Sequence, residues 1–166
     1  MYPRSYCSWI LDERNREAKQ SGNAPAQFKL GIAYNDDKGE SYQSDKLAVK
    51  WFRKSADQGY AAAQTELGYM YYKGEGELPQ SDDLAVEWYR KSADQGHASA
   101  QGCLGVMYQQ GLGGLPQSDL LAVEWYRKAA EQGQAQAQLY LAFMYEDGKG
   151  GLPQSDLLAV EWYRKG

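Results

Sequence analysis

Tryptophan recurs in this chain every 37 residues, at Trp51, Trp88, Trp125 and Trp162. The same interval relates Gln27, Gln64, Gln101 and Gln138, and also Gly39, Gly76, Gly113 and Gly150. Whole phrases return with it: ELPQSDDLAVEWYRKSADQG, then GLPQSDLLAVEWYRKAAEQG, then GLPQSDLLAVEWYRKG. A fixed period of about 20–50 residues marks a solenoid, a propeller or an array, in which each unit buries its apolar face only against its neighbours. Such a chain offers surface for binding and seldom encloses a catalytic pocket.

Each unit reads as two helices. In the second, Ala61, Gln64, Leu67, Gly68 and Tyr71 share one face at the i, i+3, i+4, i+7 spacing of an amphipathic helix. That helix stops at Lys73-Gly74-Glu75-Gly76, where glycine permits left-handed backbone. Pro79 bars a helix through the loop, and Leu78 is expected to tuck beneath it. Ser81 or Asp82 then caps a second helix. Its stripe is Leu84, Ala85, Trp88, Tyr89 and Ala93, its last turns carry Arg90 and Lys91, and Gly96 ends it. No stretch shows the alternation of a strand.

The period places an N-terminal segment at 1–23 and units at 24–60, 61–97, 98–134 and 135–166, the last shortened. Helix pairs are predicted over 24–57, 61–94, 98–131 and 135–165. Residues 8–21 read as a worn second helix of a preceding unit, covering the core's N-terminal end. Glu87, Glu124 and Glu161 each have a lysine four residues on, a pairing worth a few tenths of a kcal/mol; Lys50 faces Lys54 instead.

The chain is 43% hydrophobic and 24% charged, enough for a core, with a net charge of −4. No run of Lys or Arg stands out, which argues against nucleic acid as a partner. No segment reaches the ~20 apolar residues of a membrane span, so membrane insertion is not expected. Nor does the N-terminus show an apolar stretch of signal-peptide length before Asp12. Cys7 and Cys103 lie too many units apart to bridge, so both read as thiols in a reducing, cytoplasmic compartment.

The recurring pattern A-x-A-Q-x-x-L-G-x-x-Y, then G-x-G, then D-x-x-A-x-x-W-[YF]-R-K-[AS]-A-[ED]-Q-G resembles the Sel-one-like repeat, a branch of the tetratricopeptide-like solenoids. The resemblance covers residues 24–165. It implies an all-α, right-handed superhelical α/α solenoid of antiparallel helix pairs, serving as a protein- or peptide-binding adaptor. Positions that do not vary between units read as packing: Leu30, Leu67, Leu104 and Leu141, with Tyr34, Tyr71, Tyr108 and Tyr145. The tryptophans read as core, and the glutamines as buried amides bonded to backbone.

Other first-helix positions change from unit to unit, and in the resembling architecture these line the concave face. One set contains Phe28, Thr65 and Leu139, and another Ile32, Tyr69, Val106 and Phe143. The helix ends add Asn35, Tyr72, Gln109 and Glu146, followed by Lys73, Gln110 and Asp147. Large apolar side chains on an open surface suggest a partner site. The alternative is that the second set packs between units and the rest drifts on a solvated face.

Catalytic motifs are missing from the sequence. His97 is the single histidine, and no CxxC, HExxH, GxSxG or phosphate loop occurs. No cofactor and no metal are expected. A binding scaffold is the leading reading. One alternative is a cell-wall or β-lactam enzyme, as some disulfide-rich relatives of the resembling family imply; another is a truncated structural product. The last second helix stops at Lys165-Gly166 and leaves Leu158, Ala159 and Trp162 without a following helix, so weak self-association through residues 152–166 is expected.

Overall fold

The computed structural model describes residues 20–36 and 42–166, together with Arg16 and Ala18. Its helices are α1 (Ala24–Asp36), α2 (Tyr42–Asp57), α3 (Ala61–Lys73), α4 (Asp82–Ala93), α5 (Ala98–Gln110), α6 (Asp119–Glu131), α7 (Ala135–Asp147) and α8 (Asp156–Tyr163). No strand occurs among the described residues. The chain forms two compact units, 1–81 and 82–166. In the first, α2 packs on α1 and on α3; in the second, each of α4 to α7 packs on the next helix in the chain. The architecture is therefore all-α, built from helix pairs at the period read from the sequence. Of the expected N-terminal covering helix, Arg16, Ala18, Gln20 and Ser21 are helical, and Ala18 is buried against Ala26, Leu30 and Trp51. Residues 8–15, 17 and 19 of that expectation lie outside the described residues.

Local chemistry accounts for the helix limits. Ser118 Oγ accepts from Leu121 N and Ser155 Oγ from Leu158 N, both at 3.3 Å, so the serine of Pro-Gln-Ser-Asp caps the second helix. The loop leucine does tuck in at Leu115, which is buried, while Leu78 and Leu152 are half-buried. Leu30, Leu67, Leu104 and Leu141 are fully enclosed, joined by Met70, Met107 and Met144, which the sequence reading passed over.

The tryptophans require a correction. Trp51 is buried, but Trp88, Trp125 and Trp162 are only half-buried. In each unit the lysine three residues on lies over the indole: Lys54 at 4.7 Å, Lys91 at 4.1 Å, Lys128 at 4.3 Å and Lys165 at 3.9 Å from the ring centroid. Lys91, Lys128 and Lys165 thus sit on aromatic faces rather than on the glutamates expected to pair with them. The aromatic next in sequence goes inside: Phe52, Tyr89 and Tyr126 are buried. Room for it comes from the small residue of the first helix. A methyl group added at Gly31 or Gly105 would fall within the ring of Phe52 or Tyr126. In the last unit Ala142 replaces that glycine, and Tyr163 there has no ring stacked behind it like the Tyr140 that backs Tyr126 at 5.0 Å.

The glutamine series is buried and bonded as expected. Gln64 Nε2 donates to the Ala56 carbonyl at 3.2 Å and Gln138 Nε2 to that of Ala130 at 3.0 Å. Gln27 Oε1 accepts from Gln58 Nε2 at 2.8 Å, and Gln101 Oε1 from Gln132 Nε2 at 2.7 Å. Gln101 also donates to the Ala93 carbonyl at 3.5 Å, so its one amide ties a first helix both to the helix before it and to its own partner helix.

Candidate functional site

In the second unit, α5 and α7 bring together part of the surface anticipated from the unit-variable positions. Gln109 Nε2 reaches Met144 Sδ at 3.7 Å, so the end of α5 lies beside α7. From α7, Leu139 and Phe143 stand 38% and 46% exposed, large values for apolar side chains. Phe143 meets the edge of Tyr163 at 5.6 Å, and the Tyr163 hydroxyl donates to Glu146 Oε2 at 2.8 Å. Partial desolvation and this carboxylate push the Tyr163 phenol above its usual range. Asp147 holds Lys149 at 2.8 Å, which raises that ammonium. Gln110 is exposed. The result is an aromatic ridge with an acidic border.

Two residues of this surface are committed inward. Gln109 accepts from the Tyr126 hydroxyl at 2.9 Å, an acceptor role that lets the phenol be buried, and burial pushes that phenol well up. Val106 packs against the buried cluster around Tyr126 and Leu141. Both serve the core, as the alternative reading held for the set containing Val106.

In the first unit, Tyr69 is 40% exposed on α3, and Lys73 Nζ lies 5.9 Å from its ring and 5.2 Å from that of Tyr72. Thr65 is a correction. It is buried, and its hydroxyl donates to the Ala61 carbonyl at 3.2 Å, so it offers nothing to a partner. Phe28 is half-buried between Phe52 at 5.8 Å and Tyr60 at 5.2 Å, a packing position. Ile32 and Asn35 are half-buried on α1, and Asn35 Oδ1 has no hydrogen-bond partner among the described residues.

Further apolar exposure lies on the second helices, where the sequence reading did not look. Leu120 is 57% and Leu157 72% exposed, at the same position of successive units. The signal was present in the Asp-Leu-Leu of both units, where one leucine suffices for the buried stripe. Among the described residues no group of three His, Cys, Asp or Glu could hold a metal, and no helix is long and apolar enough to cross a membrane. Cys103 is a half-buried thiol on α5; Cys7 lies outside the described residues.

His97 precedes α5, and burial lowers its pKa below 6.5. The folded state therefore favours the neutral ring and binds fewer protons than the unfolded chain once the pH drops. Stability from this source is complete above 6.5 and is lost as the pH falls from there toward the folded value. His97→Gln, which copies position 134, should flatten the acid side of a melting-temperature profile between about pH 7 and 5 and leave the alkaline side unchanged. An unaltered acid side would assign the loss to other groups.

Comparison with known proteins places this geometry. The Sel1 repeat family matches four times, at residues 24–60, 61–97, 98–134 and 135–166. A protective antigen present in uropathogenic Escherichia coli strains and displaying an SLR fold is 39% identical, with a TM-score of 0.81 over 93% of this chain and 32% of its own. A Sel1 repeat protein from Oxalobacter formigenes is 36% identical, with a TM-score of 0.79 over 90% of this chain and 58% of its own. An immunity protein from Pseudomonas aeruginosa, 19% identical, shares the fold alone, with a TM-score of 0.53 over 96% of this chain and 73% of its own. The chain thus spans about a third of the first of these and under two thirds of the second. No curated protein matches it.

Proposed function

The chain belongs to the Sel1 repeat family, and from that premise we propose that it is a protein- or peptide-binding scaffold whose first helices carry the partner surface. The Sel1 repeat fold typically serves as an interaction scaffold, and it supplies here a rigid support of paired helices. The observation that carries the reading is the exposure of Phe143, Leu139 and Tyr69 at positions that differ between otherwise repeated units. Aromatic side chains on rigid helices lose little rotamer freedom on binding, which suits them as anchors. Glu146, Asp147 and Lys73 border these rings with charges that would set the orientation of a bound segment.

The two surfaces are tested separately. Leu139→Ser with Phe143→Ser, and Tyr69→Ser with Tyr72→Ser, should each leave the circular dichroism spectrum intact. At least one pair should abolish retention of proteins that the native chain captures from its host. Retention unchanged in both folded variants would put the partner surface elsewhere. Turnover of a cell-wall or β-lactam substrate would place the chain among enzymes instead.

A further inference from the structure

The first unit carries a groove of about 480 Å³ between α2 and the loop after α3, lined by Lys46, Lys50, Arg53 and Lys54, with half-buried Leu78 as apolar surface and buried Val49 at its floor. Asp57 and Glu77 also line it, and Glu77 Oε2 holds Lys46 Nζ at 2.6 Å. Gly76 seats the loop tightly, since a side chain there would meet Val49 and the Asp45 carbonyl.

This groove departs from the repeat at three places. Lys46 stands where later units have Asp83, Leu120 and Leu157. Lys50 stands where they have Glu87, Glu124 and Glu161. Glu77 takes the place of Gly114 and Gly151 and keeps their left-handed backbone, at φ 65; among the described residues it is the one non-glycine with positive φ. An L residue is strained there, and such strain persists where surrounding structure holds it.

The remaining cations keep their charge facing solvent. Arg53 Nη2 donates to the Tyr71 hydroxyl at 2.6 Å, and Lys54 lies over Trp51, so neutral aromatics position both heads. We propose that this groove is a docking site for an acidic peptide segment, its carboxylates on Lys50, Arg53 and Lys54 and an apolar side chain on Leu78. Charge complementarity selects the occupant: Arg53 and Lys54 recur in every unit, but in this unit alone Lys50 adds a cation where the other three carry glutamate. A nucleic-acid track is disfavoured by Asp57 and Glu77 in the lining and by a net charge of −4 over the chain.

The test uses the full chain and a fluorescein-labelled, glutamate-rich peptide with central leucines, read by anisotropy. Binding should be saturable, should weaken as salt screens the charges, and should be lost with the glutamine analogue of the peptide. Lys50→Glu restores the residue of the other three units, so the fold should stand. Affinity should drop by roughly tenfold or more, because an attraction becomes a repulsion. If the melting temperature of that variant falls, Lys50→Met carries the same comparison. Equal binding by the variant, or by the glutamine analogue, would overturn the proposal. Tighter binding of duplex DNA than of the peptide would overturn it too, and make the groove a polyanion site.

Discussion

Tyr126→Ala should destabilise the chain by about 3–5 kcal/mol, the cost of emptying an enclosed aromatic site. The ring is fully buried, backed by Tyr140 at 5.0 Å, and its hydroxyl donates to Gln109 at 2.9 Å. Removing it also leaves Gln109 Oε1 without that donor. Neighbouring Trp125→Ala, by contrast, should cost only about 2 kcal/mol, since that indole is half-buried beneath Lys128 and gives up part of a ring face and a cation–π contact. Urea titration of both variants gives the comparison directly. A larger loss at Trp125 would reverse the assignment of the two rings.

Gly113→Ala should cost about 2–4 kcal/mol, combining left-handed strain with overpacking. Gly113 has φ 60, and an added methyl would lie 2.5 Å from both the Asp82 carbonyl oxygen and Val86 Cγ2. A carbonyl in the first turn of α4 cannot step aside without moving the helix start. Gly133→Ala is the control: its φ of 84 is also positive, but its methyl would meet nothing within 4 Å. The difference in urea midpoint between the two variants isolates the contact from the backbone strain. Equal losses would mean that the loop moves freely against α4.

These two residues also show what the sequence could disclose. The Gly113 series was visible as a strict period, and a contact between loop and preceding helix recurs at Gly76, Gly113 and Gly150. Helix limits were visible for the same reason, through Ser118 and Ser155. The choice between Trp and the following Tyr or Phe was not, since both are aromatic and adjacent on the helix. Two spacings decided it: lysine three residues after each tryptophan, and a small residue twenty-one before each buried ring. Partner positions were harder still. Variation between units was read as exposure, yet Thr65 is buried and Gln109 is engaged by Tyr126 and Met144. Variable positions can hold contacts particular to one pair of units. The basic groove escaped notice because it depends on Lys46 and Glu77, which are distant in sequence and meet only in the fold.

The glutamine relay sets where such a molecule can grow or shrink. Gln101 draws a donor from Gln132, 31 residues downstream, and gives its own to the Ala93 carbonyl eight residues upstream; Gln27 repeats the first bond, and Gln64 and Gln138 the second. Inserting or deleting one whole period preserves both partners at every junction. Any other length of insertion inside the span strands a donor or an acceptor in the interior, at about 1–3 kcal/mol for each group left unmet. Tandem duplication in phase is thus nearly neutral for folding, while out-of-phase change is penalised at once. Selection on array length can act through the number of units without first repairing their joints.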